Sequence, residues 1–396
     1  KERACGMPVN YQQIRDAIQK AGQLAPLRDQ ELRDKREQAL SLLDQFALNP
    51  IPLLQKAQAA LERNPDFRCL LPGSEALNAC VAAIPPLSKA ILWGADGSQI
   101  IPNQHLAVQF GVINVGLMRM AAGETPRQEI ESELLYADDI YTAQGYLVGE
   151  EVIALRRDYK ERTHLLDAAL QDRAPVLTLT DGPLELYREG KESREYQLLL
   201  EQYLGVLSQM ADAHVLTAGY VDKPRADLLV RLLELALLSS DQLHEAGRIR
   251  PLAGISDAEL FARRLPPGQR SAVFSLQSRS SQRFSGRLAI HFFYLNVGRA
   301  QQPQVARVEI PAWVAGDPEQ VALIHQHLLD QCQQMGAKAY PYILHRAHET
   351  ALVSYEERER LMNMLQIELL NQGVTPGEIS SKQYHKDQPG KTRYGK

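Results

Sequence analysis

The stretch "ILWGADGSQIIPNQH", residues 91–105, poses the question on which the fold turns. An apolar run, Ile91 to Ala95, meets Asp96-Gly97-Ser98, and a second apolar run follows. Asp-Gly between two apolar runs is the strongest short hairpin signal, because Gly accepts the positive φ of a two-residue turn. The same position also suits a carboxylate that ends a strand. A second copy of the pattern sharpens the choice: "PVLTLTDGPLEL", residues 175–186, is another β-prone run that ends in Asp181-Gly182. There Pro183 follows at once, and the chain leads through LELYREG into a helix. A carboxylate at the C-terminal end of a buried strand lies where open α/β sheets place their ligands.

Working outward, "KAILWGADGSQIIP" reads as two short strands around Asp96-Gly97, and residues 106–123 add one or two more. Residues 124–146 are polar and carry no clear period. A helix is expected over 147–171, where Val148, Val152, Leu155, Tyr159, Leu166 and Leu170 form a 3.6-period stripe. The strand 176–180, a helix over 191–212, a strand over 214–221 and a helix opened by Pro224 follow. Ser256 with Glu259 three residues on marks another helix start. Three β segments (271–276, 286–298 and 304–314), a helix over 317–335 and a last one over 355–371 complete the series. An antiparallel meander leading into βαβ units is the arrangement of ribonuclease H-like folds, so the expected class is α/β, a mixed sheet flanked by helices. Residues 11–63 add two or three helices, an N-terminal extension, and the Pro-rich stretch 64–87 reads as a connector. The domain reading is thus an arm and connector over 1–87, a core domain over 88–372 and a flexible tail over 373–396. That tail is basic, its last 17 residues holding five Lys/Arg and one Asp.

Composition is that of a globular protein, 44% hydrophobic and 23% charged. No apolar run reaches the roughly 18 residues of a membrane span, and the first residues carry no secretory h-region. The four cysteines, Cys5, Cys69, Cys80 and Cys332, form no CxxC pair and no zinc spacing, which fits reduced thiols and a cytoplasmic location. The net charge of −4 excludes a chain coated with positive charge. It leaves nucleic acid open, because an acidic metal site offsets a basic groove in the total.

Metal-assisted hydrolysis of phosphodiesters needs carboxylates converging from different elements, to hold Mg2+ or Mn2+. Asp96 and Asp181 supply two. The intervening helix offers Glu150, Glu151, Asp158, Glu161, Asp167 and Asp172. Glu161 lies mid-helix, off the apolar stripe, with His164 near it on the same face. The plain alternative for Glu161 is a solvated face with i,i+4 pairing to Arg157. No GxxxxGK[ST] and no DxD nucleophile motif appears, so other phosphoryl-transfer chemistry trails.

Five segments in order, "GADGSQIIP", "RRDYKE", "LTDGPLEL", "TAGYVDKPRADLLV" and "YPYILHRAHETA", resemble the NurA nucleases, partners of the HerA hexameric DNA translocases, over roughly residues 88–352. The resemblance implies a ribonuclease H-like homodimer that degrades DNA with Mn2+ or Mg2+, as an exonuclease and also an endonuclease, fed by a HerA-like hexameric ATPase in DNA end processing or defence against foreign DNA. It maps Asp96, Asp181 and Glu161 (or Glu150) onto the metal-holding carboxylates. His348 becomes a metal ligand or proton donor, and Tyr340 a phosphate contact or a packing residue on Pro341. Lys223 and Arg225, just after a strand end, read either as DNA phosphate contacts or as an exposed helix N-terminus. Arg263, Arg264, Arg270, Arg279, Arg283 and Arg287 form a second cluster, which reads either as a solvated face or as the lining of a DNA path. The competing reading is a NurA-like scaffold that docks on a translocase without catalysis. The N-terminal helical segment reads as a dimer arm, a docking surface or a lid.

Overall fold

The computed structural model describes residues 10–85, 89–173, 175–186, 193–278 and 280–375. Two helices come first, α1 (Tyr11–Gln45) and α2 (Ile51–Arg63), then two short strands, β1 (Cys69–Pro72) and β2 (Val81–Ala82). A meander follows: β3 (Ile91–Ile100), β4 (Gly111–Met120) and β5 (Arg127–Leu135). Next come α3 (Glu150–Ala169), β6 (Val176–Asp181), α4 (Arg194–Asp212), β7 (Leu216–Val221), α5 (Leu228–Leu237) and α6 (Asp257–Arg264). Strands β8 (Gln269–Arg270), β9 (Phe274–Gln277), β10 (Ile290–Asn296) and β11 (Val305–Pro311) lead to α7 (Ala312–Ala315), α8 (Pro318–Gln334), α9 (Tyr342–Ala351) and α10 (Tyr355–Asn371).

One sheet runs through the molecule in the order β1-β9-β10-β11-β7-β6-β3-β4-β5. Among the described strands, only the β3–β6 and β6–β7 pairs are parallel. The portion β5-β4-β3-β6-β7 is a three-strand antiparallel meander joined to two parallel strands through crossover helices, the ribonuclease H-like core expected from the sequence. Side chains alternate across the sheet, and each face has its own core. On one, Trp93, Ala95, Ile113 and Val115 pack against Ile153 and Leu165 of α3 and Leu207 of α4. On the other, Leu92, Met118, Leu177 and Leu179 pack against Ile343, Leu344 and Ala347 of α9 and Ile324 of α8. Each aliphatic side chain so buried is worth about 1.5–3 kcal/mol of transfer free energy. A third core at the far end joins α1, α2, α5 and α6 to Phe274, Phe292 and Tyr294.

The hairpin expectation at Asp96-Gly97 is overturned. Strand β3 runs unbroken through both residues, which pair with Gly116 and Val115 of β4. The chain reverses over residues 101–110 instead. Gly97 is needed for close approach: a Cβ there would stand 2.6 Å from Cγ of Arg157 and from Oε1 of Glu161. Gly182 is a turn glycine, with φ +89°. Other expectations shift by less. The polar stretch 124–146 contains β5, and the Pro-rich stretch 64–87 contributes β1 and β2 to the sheet. Pro224 precedes α5, which Asp227 opens, so Pro does not occupy its first turn. The Ser256 cap forms as expected, its hydroxyl accepting from the Glu259 N–H. The residues 376–396 of the basic tail lie outside the described residues. Among the described residues no helix is long and apolar enough to cross a membrane.

Candidate active site

Parallel pairing of β3 with β6 sets Ala95 beside Thr180, so the next residues, Asp96 and Asp181, are neighbours on adjacent strands. Both point to the α9 face. Asp181 is the last residue of β6, whereas β3 continues to Ile100. A cleft of about 380 Å3 opens at that end, lined by Asp96, Arg157, Asp158, Glu161, Asp181 and Glu185 among others. Glu161 and Asp158 reach it from α3, on the opposite face of the sheet.

His348 and Tyr340 come from the C-terminal elements on the α9 face. His348 Nδ1 lies 2.5 Å from Asp96 Oδ2, while Asp96 Oδ1 accepts the Gly97 N–H at 2.9 Å. The Tyr340 hydroxyl donates to Asp181. Its ring meets that of Tyr220 edge-on, with centroids 5.6 Å apart. Two glycines let α9 lie this close. A Cβ on Gly116 would stand 2.5 Å from the Ala347 carbonyl oxygen, and one on Gly94 would stand 2.9 Å from Cγ1 of Ile343. Ser98 Oγ and Asn114 Nδ2 then donate to the Ala351 carbonyl at 2.5 and 2.8 Å, tying down the end of the helix that carries His348.

Charge in the cleft is unbalanced. Burial, then the Asp158 charge, hold the Glu161 carboxyl well above its ordinary range, and Asp96 adds to the effect. Asp181 is raised by burial first and the Asp96 charge second, against the Tyr340 hydrogen bond. Tyr340 itself is pushed up by burial and by Asp181. Arg157 answers part of the negative charge, with Nη2 2.7 Å from Asp158 Oδ1 and Nε 3.3 Å from Glu161 Oε1. Arg162, buried behind it, donates to the Thr217 hydroxyl at 2.9 Å and to that of Thr180.

Carboxylate oxygens crowded together are the donor set a hard divalent cation prefers. Asp96, Asp181 and Glu161 fit such a cation in chemistry. They do not form a closed shell as placed: among the described residues no three His, Cys, Asp or Glu groups stand at ligand spacing.

The structure separates the remaining candidates. Glu150 is the exposed first residue of α3 and lies outside the cleft lining, whereas Glu161 is only 5% exposed. The i,i+4 pair of Arg157 with Glu161 exists, but in the cleft and not on a solvated face. His345 pairs with Glu349 and not with the acids. Lys223 and Arg225 are exposed in the turn after β7, at the same edge as Asp181 but outside the lining of the cleft. The second arginine cluster is largely committed elsewhere. Arg264 pairs with Asp44, Arg270 with Glu75 and Arg287 with Asp212, and Arg279 lies outside the described residues. The sequence reading missed Arg157 as a cleft residue, along with Glu185 and Tyr203. The three-residue spacing from Asp158 to Glu161 was the signal that could have drawn α3 further into the site.

A ribonuclease H-like sheet brings Asp96, inside β3, and Asp181, at the end of β6, side by side in an acidic cleft, and with the family match the class is a nuclease. The chain belongs to the NurA domain family, whose profile matches residues 91–353, from the first residue of β3 to just beyond α9. Comparison with curated proteins returns no match. Among solved structures, the NurA nuclease from Sulfolobus solfataricus is similar at 13% identity and a TM-score of 0.49, over 74% of this chain and 88% of that one. The catalytic domain of human Endonuclease V matches at 12% identity and a TM-score of 0.31, over 79% and 97%. Endonuclease V of Ciona intestinalis, in complex with an inosine-containing DNA 24mer, matches at 12% identity and a TM-score of 0.30, over 78% and 97%.

Proposed function

We propose that this chain is a divalent-metal-dependent deoxyribonuclease, an exonuclease with endonuclease capacity. In this reading it works as a homodimer with Mn2+ or Mg2+ and takes DNA from a HerA-like hexameric ATPase, in end processing or defence against foreign DNA. The observation that carries the reading is the placement of Asp96 and Asp181 side by side on parallel strands, with His348 2.5 Å from Asp96.

A divalent cation supplies charge neutralisation at the phosphate and lowers the pKa of the attacking water. The chain's own residues do the rest. Asp96, Asp181 and Glu161 hold the cation through carboxylate oxygens. With its Nδ1 turned to Asp96, His348 keeps Nε2 for proton transfer to the leaving oxygen. Tyr340 orients Asp181 through the hydroxyl hydrogen bond. Lys223 and Arg225, at the same sheet edge, meet the phosphates of the approaching strand.

The test is DNA degradation by the purified chain with Mn2+ and, separately, with its translocase and ATP. Asp96→Ala and Asp181→Ala are expected to abolish cleavage with the fold retained by circular dichroism. A folded wild-type chain that stays inert with Mn2+, DNA, translocase and ATP contradicts the proposal.

A further inference from the structure

Two arginines sit on consecutive turns of α3, and they are held in opposite ways. Arg162 is 2% exposed, with both terminal nitrogens bonded to threonine hydroxyls on the sheet. Arg157 lines the open cleft, and 29% of its side chain is exposed. Its partners are the carboxylates of Asp158 and Glu161, and the Asp96 charge acts on it as well. The Nε atom is buried yet makes no hydrogen bond of good geometry. Its stem runs across β3 only because residue 97 is glycine, since a Cβ there would stand 2.6 and 2.8 Å from Cγ and Cδ of Arg157. The guanidinium thus stands as the resident cation of an acidic cleft, with the carboxylates of Asp158 and Glu161 as its partners.

We propose that Arg157 is a catalytic residue of this site. Its guanidinium neutralises Asp158 and Glu161 while no metal is bound, and turns to a non-bridging oxygen of the scissile phosphate once a divalent cation takes Glu161, the one carboxylate the two cations share. The inference rests on the metal-nuclease reading above. The physical argument is exclusion and exchange. A guanidinium and a divalent cation compete for the same carboxylate oxygens and repel each other across the cleft. DNA then brings the one new anion into reach, and its paired oxygens match the planar fork of arginine.

The test is Mn2+ binding by titration calorimetry on the full chain, with cleavage measured in parallel. Arg157→Gln is expected to bind Mn2+ roughly tenfold more tightly, because a competing charge is gone. The same variant is expected to lose about a hundredfold or more in kcat, the scale seen when a transition-state donor is removed. A residue that only supported the fold would not tighten metal binding while slowing turnover. Arg157→Lys keeps the charge and loses the fork, so its Mn2+ affinity should stay within about twofold of wild type while kcat falls about tenfold. Mn2+ binding by Arg157→Gln no tighter than wild type, or cleavage at the wild-type rate, overturns the proposal. Asp96→Asn separates the two levels. If that variant binds Mn2+ as the wild type does, the metal-site reading falls and takes this role of Arg157 with it.

Discussion

Nδ1 of His348 stands 2.5 Å from Oδ2 of Asp96, a contact between residues 252 positions apart. It joins the middle strand of the β5-β4-β3-β6-β7 portion of the sheet to a helix at the end of the matched domain, and it depends on how α9 is seated. Ser98 and Asn114 hold the Ala351 carbonyl, and the Ser132 hydroxyl in turn donates to Asn114 at 2.6 Å. Asn114→Ala is expected to cost about 1–2 kcal/mol of stability through the lost buried hydrogen bonds. It should also lower kcat with little change in KM, because His348 drifts from Asp96. Denaturant titration and steady-state cleavage check this. A stability loss with unchanged kcat would make the clamp structural only.

Burial and the Asp158 and Asp96 carboxylates oppose charge on Glu161. Glu161→Gln should therefore stabilise the metal-free protein at neutral pH by about 1 kcal/mol, the usual scale for relieving a strained functional site. The same change should abolish Mn2+-dependent cleavage. Thermal unfolding without metal gives the first reading, and a lower Tm for the variant would contradict the charge argument.

Gly97→Ala places a methyl group against Arg157 and Glu161 at 2.6 Å. Overpacking of this kind costs about 1–3 kcal/mol, and the two side chains must shift. Cleavage should fall more steeply than stability, which parallel kcat and urea-unfolding measurements would separate.

His325 is 1% exposed, with Nε2 2.9 Å from the Gly268 carbonyl. Burial, with Arg270 as a lesser cause, lowers its pKa from 6.5 to about 4. The folded state therefore binds this proton less readily than the unfolded chain. The stability it contributes is fully present above pH 6.5 and is lost as pH falls toward 4, up to about 3 kcal/mol. His325→Gln should remove that part of the acid limb in a pH series of unfolding free energies. Parallel curves for the two proteins would count against the assignment.

The two Asp-Gly segments lie on the strands that line the cleft, for different reasons than their turn chemistry suggests. Asp181 does end its strand, at a glycine with positive φ. Asp96 sits inside a ten-residue strand, where glycine serves a helix crossing above it. Sequence shows that a glycine is present but not which of the two demands it meets. The 3.6-period stripe placed α3 correctly and its buried face only in part. That helix is covered by the sheet on one side and by α4 on another, so Glu161 and Arg162 are buried although they lie off the stripe, while Leu170 is exposed. Strand β5 is an edge strand, exposed along most of its length, and so lacks the apolar alternation by which strands are read. The arginine cluster near residue 280 could not be judged from sequence, because its partners Asp44, Glu75 and Asp212 are far away along the chain.

The proposed chemistry requires Asp96 and Asp181 to share a divalent cation. Crystals of the chain grown with Mn2+ and measured at the manganese absorption edge test it most directly. An anomalous peak is expected between the two carboxylates, with Glu161 turned toward it and Arg157 displaced. A chain that degrades DNA with Mn2+ while showing no anomalous peak in this cleft would contradict it.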